Sequence, residues 1–423
     1  MRNSVDMQYE EALQYIHSLE KFGIKPGMER ITALCRAFGN VQEELRYIHV
    51  AGTNGKGSTS TMLANICRNA GYKTGLFLSP YVLDFRERIQ VNGEMIPKDA
   101  LAQIVERIRP VADTMREQGE PPTEFEVITA AAFLYYAQSK CDMVVLETGL
   151  GGRLDSTNII PCPEVSVITS VSLDHMAVLG NTVAQIAAEK CGILKDGGIT
   201  VTYPFQNPEA LEVIRRTAEE RRNTLILPDS ASIECRKESL YGTDAVIDGL
   251  PVHIPMLGRH MVYNASMAVA AARALGISDE AIAQGIADSR MPARMEIVRE
   301  RPLTIIDGGH NEDCAHALRN AVKRFLPNRR IVGICGLMAD KAYETYLSIV
   351  APLFSALVTV TPDNPRALPA KTLCEAAKPY CANVAAADSF REACTLAKAQ
   401  AGVDGVLLSC GSFYMVADLE KYL

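Results

Sequence analysis

From Arg46 onward, short apolar runs rich in β-branched residues alternate with longer stretches of helical period, and few folds accept that pattern. Arg46–Val50, Thr74–Leu78, Met143–Leu146 and Val165–Thr169 read as strands, and Ala100–Met115 and Val127–Ala137 between them as helices. Such alternation predicts a parallel sheet covered by helices on both faces. Ahead of it, Glu10–Phe22 carries Leu13, Ile16 and Leu19 at helical spacing, and Ile31–Phe38 reads as a second helix. After Val201 the pattern is irregular, with Ala245–Ile247 and Val252–Ile254 suggesting short antiparallel strands. A second alternation begins at Leu303, with strands expected at Leu303–Ile306, Ile331–Ile334, Leu357–Val360 and Gly405–Ser409. The segment Ser289–Arg294, with Met291-Pro292, lies between the two alternations. The expected division is a large N-terminal α/β domain over residues 1–296 and a smaller, Rossmann-like α/β domain over 297–423.

Composition narrows the function classes. The 423 residues carry 43 Lys+Arg against 50 Asp+Glu, a formal net charge of −7, and 48% are apolar, so a sizeable core is expected and dominant disorder is not. With no basic block to neutralise phosphates, a nucleic-acid partner is not expected. The acidic N-terminal stretch has no apolar signal-like region, and Thr345–Pro362 is broken by Ser348, Pro352, Ser355 and Thr359. It reads as a helix end, a turn and a strand rather than a membrane span. Twelve cysteines are scattered from Cys35 to Cys410 without a CxxC pair, which suits buried free thiols better than a zinc site or a disulfide scaffold. A cytoplasmic, monomeric protein is the expectation.

The chemistry concentrates at expected strand ends. His49-Val50-Ala51-Gly52-Thr53-Asn54-Gly55-Lys56-Gly57-Ser58-Thr59 leads from a strand through glycines into a helical pattern. Successive backbone N–H groups in such a turn can point at phosphate oxygens, with the helix N-terminus adding positive potential. Lys56 can reach β- and γ-phosphates, and Ser58 or Thr59 can donate to phosphate or approach a metal. The general P-loop template is missed at Val50 and Gly57. Met143–Leu146 ends in Glu147 and a glycine-rich turn, where a carboxylate suits magnesium. His175 follows the strand Val165–Thr169 and is a candidate metal or phosphate contact. Asn181-Thr182 reads as a helix cap. The helix it starts puts Lys190 on an apolar stripe with Val183, Ile186 and Ala187, so its amine either snorkels to water or is desolvated and reactive. Asp307-Gly308-Gly309-His310-Asn311 ends the first strand of the second alternation.

These residues together resemble the folylpolyglutamate synthase and dihydrofolate synthase family, within the Mur ligase superfamily of ATP-dependent amide-forming ligases. The resemblance runs from about Tyr9 to the C-terminus. Its most specific pieces are Gly52–Ser58 and Glu147–Asp155. Others are Ser79-Pro80 with Glu87-Arg88-Ile89, Leu173-Asp174-His175, Glu189-Lys190, Gly258-Arg259-His260 with Asn264-Ala265, and Pro292–Glu296. Gly57, an anomaly against the general P-loop, is what this family has. The family commonly carries Ala where this chain has Gly309 and His where it has Tyr81.

The resemblance implies roles. Asn54, Gly55, Lys56, Gly57 and Ser58 hold the ATP phosphates, and Asn264, Arg294 and Asp307 also contact ATP. Ser79 and Glu147 bind one magnesium ion and His175 a second. Lys190 matches a carbamylated lysine, and Lys56, Lys190 and His310 serve the chemistry. The folate or pteroate part lies near Thr123, Phe125, Leu154, Asp155 and Ser156. The implied activity is ATP-dependent addition of L-glutamate to a folate through an acyl phosphate, with dihydropteroate an open second acceptor. Two rivals remain: a cell-wall ligase of the same superfamily, and a P-loop nucleotide switch without ligase chemistry.

Overall fold

The computed structural model describes residues 7–20, 23 and 25–423. The chain divides into two compact units. The first takes the chain up to Glu234 with Ala245–His253 and Tyr263–Ser289; the second holds Cys235–Asp244, Ile254–Val262 and Arg290–Leu423. The expected joint at 296/297 falls inside that last run, and the two short excursions into the second unit are invisible to local periodicity because non-local contacts decide them.

Strands of the first unit are β1 (Tyr47–Ala51), β2 (Thr74–Phe77), β3 (Ile89–Val91), β4 (Glu94–Met95), β5 (Met143–Glu147), β6 (Val165–Ile168), β7 (Ile199–Thr202) and β8 (Thr224–Ile226). They form one eight-stranded sheet in the order β4-β3-β2-β5-β1-β6-β7-β8. β1 lies at its centre, parallel to β5 and β6. Only β3 runs against the other seven strands, forming with β4 a hairpin on the β2 edge that the sequence pattern did not announce. β1 and β5 are buried along their whole length, which explains why they read as unbroken apolar runs. The helix Lys56–Asn69 leaves β1 directly and buries Met62, Leu63 and Ile66. Behind it, the helix Asp279–Ala287 comes so close that a side-chain carbon at Gly285 would collide with the Ile66 backbone.

The expected helices are present: Ala100–Met115 lies within Lys98–Glu117, and Val127–Ala137 within Glu124–Gln138. The first helix spans Tyr9–His17; Phe22, its expected end, lies outside the described residues, as do residues 1–6. The irregular region forms a three-stranded sheet of β9 (Ile233–Ser239), β10 (Gly242–Ile247) and β11 (Leu250–Ile254).

The second unit carries β12 (Glu296–Glu300), β13 (Leu303–Ile306), β14 (Ile331–Cys335), β15 (Ala356–Thr359), β16 (Val384–Ala386) and β17 (Val406–Cys410). Their order is β12-β13-β17-β14-β15-β16, parallel except where β12 meets β13. Leu318 and Val322 of the helix Glu312–Phe325, with Leu347 and Val350 of the helix Tyr343–Val350, join Leu357 and Leu408 in its core. Thr345–Pro362 is helix, turn and strand as expected, and no helix among the described residues is long and apolar enough to cross a membrane. All twelve cysteines are free thiols, but not all are buried: Cys162 is exposed, and Cys235 and Cys314 are half-buried. Cys162 lies in the loop before β6, where no core exists to cover it.

Candidate active site

The glycine-rich turn after β1 is held open from both sides. Thr53 N–H donates to the Ser170 carbonyl at 2.8 Å, and Thr53 Oγ1 accepts from Ser172 N–H at 3.1 Å. Asn54 pairs with Ser170 as an isolated bridge. Gly52 takes φ +155° and leaves no room for a side chain against Thr169. Gly55 takes φ +88°, where its Cβ would come 2.6 Å from Asn264 Oδ1. Both glycines are therefore required, by backbone conformation and by close approach. Gly55 is also the N-cap of the helix Lys56–Asn69, and no side chain caps that helix, so its first N–H groups face the turn as an anion site. Gly57 and Ser58 lie buried in the first helical turn.

Lys56 Nζ donates to the carbonyls of Gly52 at 3.1 Å and Thr53 at 3.2 Å. Lys190, 3% exposed, does not snorkel: its Nζ donates to the same Gly52 carbonyl at 2.7 Å. Burial first, and the Lys56 charge second, lower the Lys190 pKa from 10.5 to about 7. At neutral pH a substantial fraction of that amine is therefore unprotonated and nucleophilic. The Thr182 cap places it there: Thr182 Oγ1 accepts from Gln185 N–H at 3.2 Å and starts the helix Val183–Lys190.

Glu147 ends β5, in register with Val50 of β1, and is 4% exposed. Its Oε2 accepts the Ser79 N–H at 3.0 Å, so the structure joins the two residues expected to share a metal. A buried carboxylate held by the backbone of a serine brings hard oxygen donors, of the kind magnesium takes, to one strand end. Thr59 in the helix after the turn, Thr148 after β5 and Thr169 after β6 have buried hydroxyls with no hydrogen-bond partner among the described residues, as expected of polar groups that await a ligand. These observations fit a magnesium–nucleotide site. His175 is carried by the separate loop after β6, with φ +50° and its Nε2 4.0 Å from Asp174.

The residues expected at the pteroate end have structural duties as well. Thr123 caps the helix Glu124–Gln138 in a capping box with Glu126, which is clamped by two 3.1 Å bonds from Arg30 Nε. The Phe125 ring packs against Gly149, where a Cβ would come within 2.5 Å of it. Asp155 accepts from Leu150 N–H at 2.8 Å, Thr157 N–H at 3.0 Å and Thr157 Oγ1 at 2.6 Å, which folds the glycine-rich loop after β5 back on itself. Burial nevertheless raises its pKa above the ordinary carboxylate value. His49 in β1 completes the chain, its Nε2 2.9 Å from Thr157 Oγ1 and its pKa lowered by burial to about 3, so it is neutral. Because that hydroxyl gives its proton to Asp155, we assign the Nε2–H tautomer to His49. Ser156 is buried and Leu154 half-buried in the same loop.

Sequence reasoning missed a wall beside Ser79. Arg88 Nη1 lies 3.4 Å from Ser79 Oγ and its guanidinium stacks 5.2 Å from Tyr81 and 5.6 Å from Phe85. His17 meets Phe85 edge-on at 5.4 Å, and Glu124 lies 3.8 Å from His17 and 4.0 Å from Arg88. In the sequence this region was marked by Ser79-Pro80, Tyr81 and the Glu87-Arg88-Ile89 triplet, none of which announced the ring stack.

In the second unit, Asp307 follows β13. Its Oδ1 accepts Gly309 N–H at 2.9 Å and its Oδ2 accepts Met295 N–H at 3.1 Å. Burial raises its pKa while the Arg294 charge works against that rise. Gly309 in place of the family's Ala has a physical reason here: a Cβ would come 2.7 Å from both Asp307 Oδ1 and Cys314 Cβ. His310 Nδ1 lies 3.3 Å from the Gly308 carbonyl.

Comparison with known proteins agrees with this arrangement. The family described as the Mur ligase middle domain matches residues 50–272, and the Mur ligase glutamate ligase domain matches 293–413. A dihydrofolate synthase/folylpolyglutamate synthase of Bacillus subtilis is 36% identical over 98% of this chain and 99% of its own length. The Escherichia coli protein of the same description is 32% identical over 97% and 94%. Among solved structures, Mycobacterium tuberculosis folylpolyglutamate synthase complexed with ADP superposes with a TM-score of 0.89 at 28% identity, covering 97% of each chain. An Escherichia coli structure in complex with DHPP and ADP gives 0.86 at 30% identity, covering 98% and 97%. With motifs, fold and near-complete coverage in agreement, the chain belongs to the folylpolyglutamate synthase/dihydrofolate synthase family of the Mur ligase superfamily.

Proposed function

We propose that the protein is an ATP-dependent ligase that joins L-glutamate to a folate, and that dihydropteroate serves as a second acceptor. The observation that carries this reading is that family matches cover both units, a nucleotide-type middle domain and a glutamate ligase domain. A nucleotide switch has no use for the second, and the relatives named for folate chemistry leave a cell-wall ligase without support.

The terminal carboxylate of the acceptor attacks the γ-phosphorus of ATP, giving an acyl phosphate and ADP. The amine of glutamate then attacks the acyl carbon, and phosphate leaves in place of oxide. Asn54, Gly55, Lys56, Gly57 and Ser58 hold the phosphates, with the uncapped helix N-terminus and Lys56 stabilising negative charge on the transferring group. Asn264, Arg294 and Asp307 hold the rest of the nucleotide. Ser79 and Glu147 are the residues that would hold one magnesium ion and His175 a second, and magnesium when bound neutralises phosphate charge. The neutral amine of Lys190 adds to carbon dioxide and releases one proton, so that an uncharged group becomes a carbamate anion. If the Nδ1–H of His310 donates to the Gly308 carbonyl, Nε2 becomes the acceptor for the proton that glutamate's amine must lose.

The test measures ADP release and folate product together. ADP formation that requires both the acceptor and glutamate supports the ligase, whereas hydrolysis at the same rate without either supports a switch. Lys56→Ala, folded by circular dichroism, is expected to lose product formation by at least about 100-fold. Parallel assays with dihydropteroate and tetrahydrofolate decide the second acceptor.

A further inference from the structure

One aromatic ring touches three residues of the second unit's site, and no role has been assigned to it. Phe413 follows β17 through Gly411 and Ser412 and begins a short turn, Phe413–Met415, capped by Ser412 Oγ, which accepts Tyr414 N–H at 3.2 Å. Its side chain is 7% exposed. The Arg294 guanidinium carbon lies over the ring, 4.5 Å from its centroid. The His310 ring meets it edge-on, with centroids 6.1 Å apart at 75°. Gly308, in the loop that carries Asp307 and His310, lies so close that any Cβ would overlap the Phe413 ring.

What else could orient Arg294 is limited. Its Nε is buried and has no hydrogen-bond partner among the described residues. Each oxygen of the neighbouring Asp307 accepts a backbone N–H, from Met295 and Gly309. The ring face therefore provides the flat surface on which the guanidinium plane rests. The Gly308 N–H bond to the Ala293 carbonyl at 2.8 Å ties together the two backbone segments that the ring covers.

We infer that Phe413 is a positioning residue: it sets the plane of Arg294 and the tilt of His310 together, so that one ring aligns the nucleotide contact and the glutamate-side base. This rests on the roles given to Arg294 and His310 above. Gly308 is part of the same device, because its missing side chain is the space the ring occupies.

The test is steady-state kinetics with ATP, glutamate and tetrahydrofolate varied in turn. Phe413→Leu is expected to raise KM for ATP by about tenfold, the scale of a partly desolvated cation–π contact, to lower kcat/KM for glutamate as the base is displaced, and to leave KM for the folate unchanged. Phe413→Tyr, which keeps the ring, should restore both. Gly308→Ala should copy Phe413→Leu, and the double variant should lose less than the sum of the two, because the smaller side chain makes room for the methyl group. A stable Phe413→Leu protein with lowered Tm, unchanged KM for ATP and unchanged kcat/KM for glutamate would overturn the inference, as would strict additivity in the cycle. If Phe413→Leu does not fold, Phe413→Met and Gly308→Ala carry the same comparison. Arg294→Ala separates the two layers. Unchanged ATP affinity there removes the proposed role of Arg294 itself, while a weakened Arg294→Ala beside a normal Phe413→Leu rejects only the positioning role.

Discussion

The amine of Lys190 lies 2.7 Å from the Gly52 carbonyl, and Lys56 donates to that same oxygen, so two amines share one acceptor inside the first unit. The lowered pKa has a consequence for stability. Between about 7 and 10.5 the unfolded chain binds a proton that the folded chain does not, so this residue makes stability rise with pH across that window; below it, the contribution is a constant penalty. Lys190→Met should flatten the rise, measured as denaturant midpoints across the window. Wild type and variant with parallel profiles would refute the buried amine. Activity of Lys190→Ala is expected to fall and to recover in part with added acetate, which replaces the lost anion; mass spectrometry of native protein should show one carbon dioxide on Lys190. Of the candidate residues, the Gly52–Ser58 stretch was legible in the sequence because its parts are consecutive and the strand-turn-helix context surrounds them. The state of Lys190 was not, because snorkelling and burial share one helical stripe, and it took the folded chain to turn the amine onto the Gly52 carbonyl.

At the scale of elements, the helix Glu124–Gln138 begins where it does because Glu126 serves it twice, accepting Thr123 N–H at 2.7 Å and pairing with buried Arg30. Removing one partner leaves an uncompensated charge, so Arg30→Leu should cost about 3–5 kcal/mol, read as a drop in denaturation midpoint. The Thr182 cap is a smaller device: Thr182→Ala should cost about 1 kcal/mol, with Lys190 carried out of register as the helix start frays. Long, strongly periodic helices and fully buried parallel strands were plain in the sequence. The β3–β4 hairpin and the short edge strands were not, since each has only two or three residues, too few to show a strand period.

For the whole molecule, the ligand should report on the native fold. ATP that binds the folded chain and not the unfolded one adds about 2.7 kcal/mol at about 100 times its Kd. A rise in unfolding temperature is therefore expected for the native protein and not for Lys56→Ala; equal rises would place the nucleotide elsewhere. The sequence by itself determined the α/β class, the P-loop, the acidic strand end at Glu147 and the family, because periodicity and contiguous motifs are local properties of a chain. Only the tertiary structure decided that Ser79 meets Glu147, that the chain enters the second unit twice before Arg290, and that Phe413 underlies Arg294 and His310. Those contacts join residues from about 70 to more than 100 positions apart, and their geometry comes from packing helices on sheets, which no window of sequence contains.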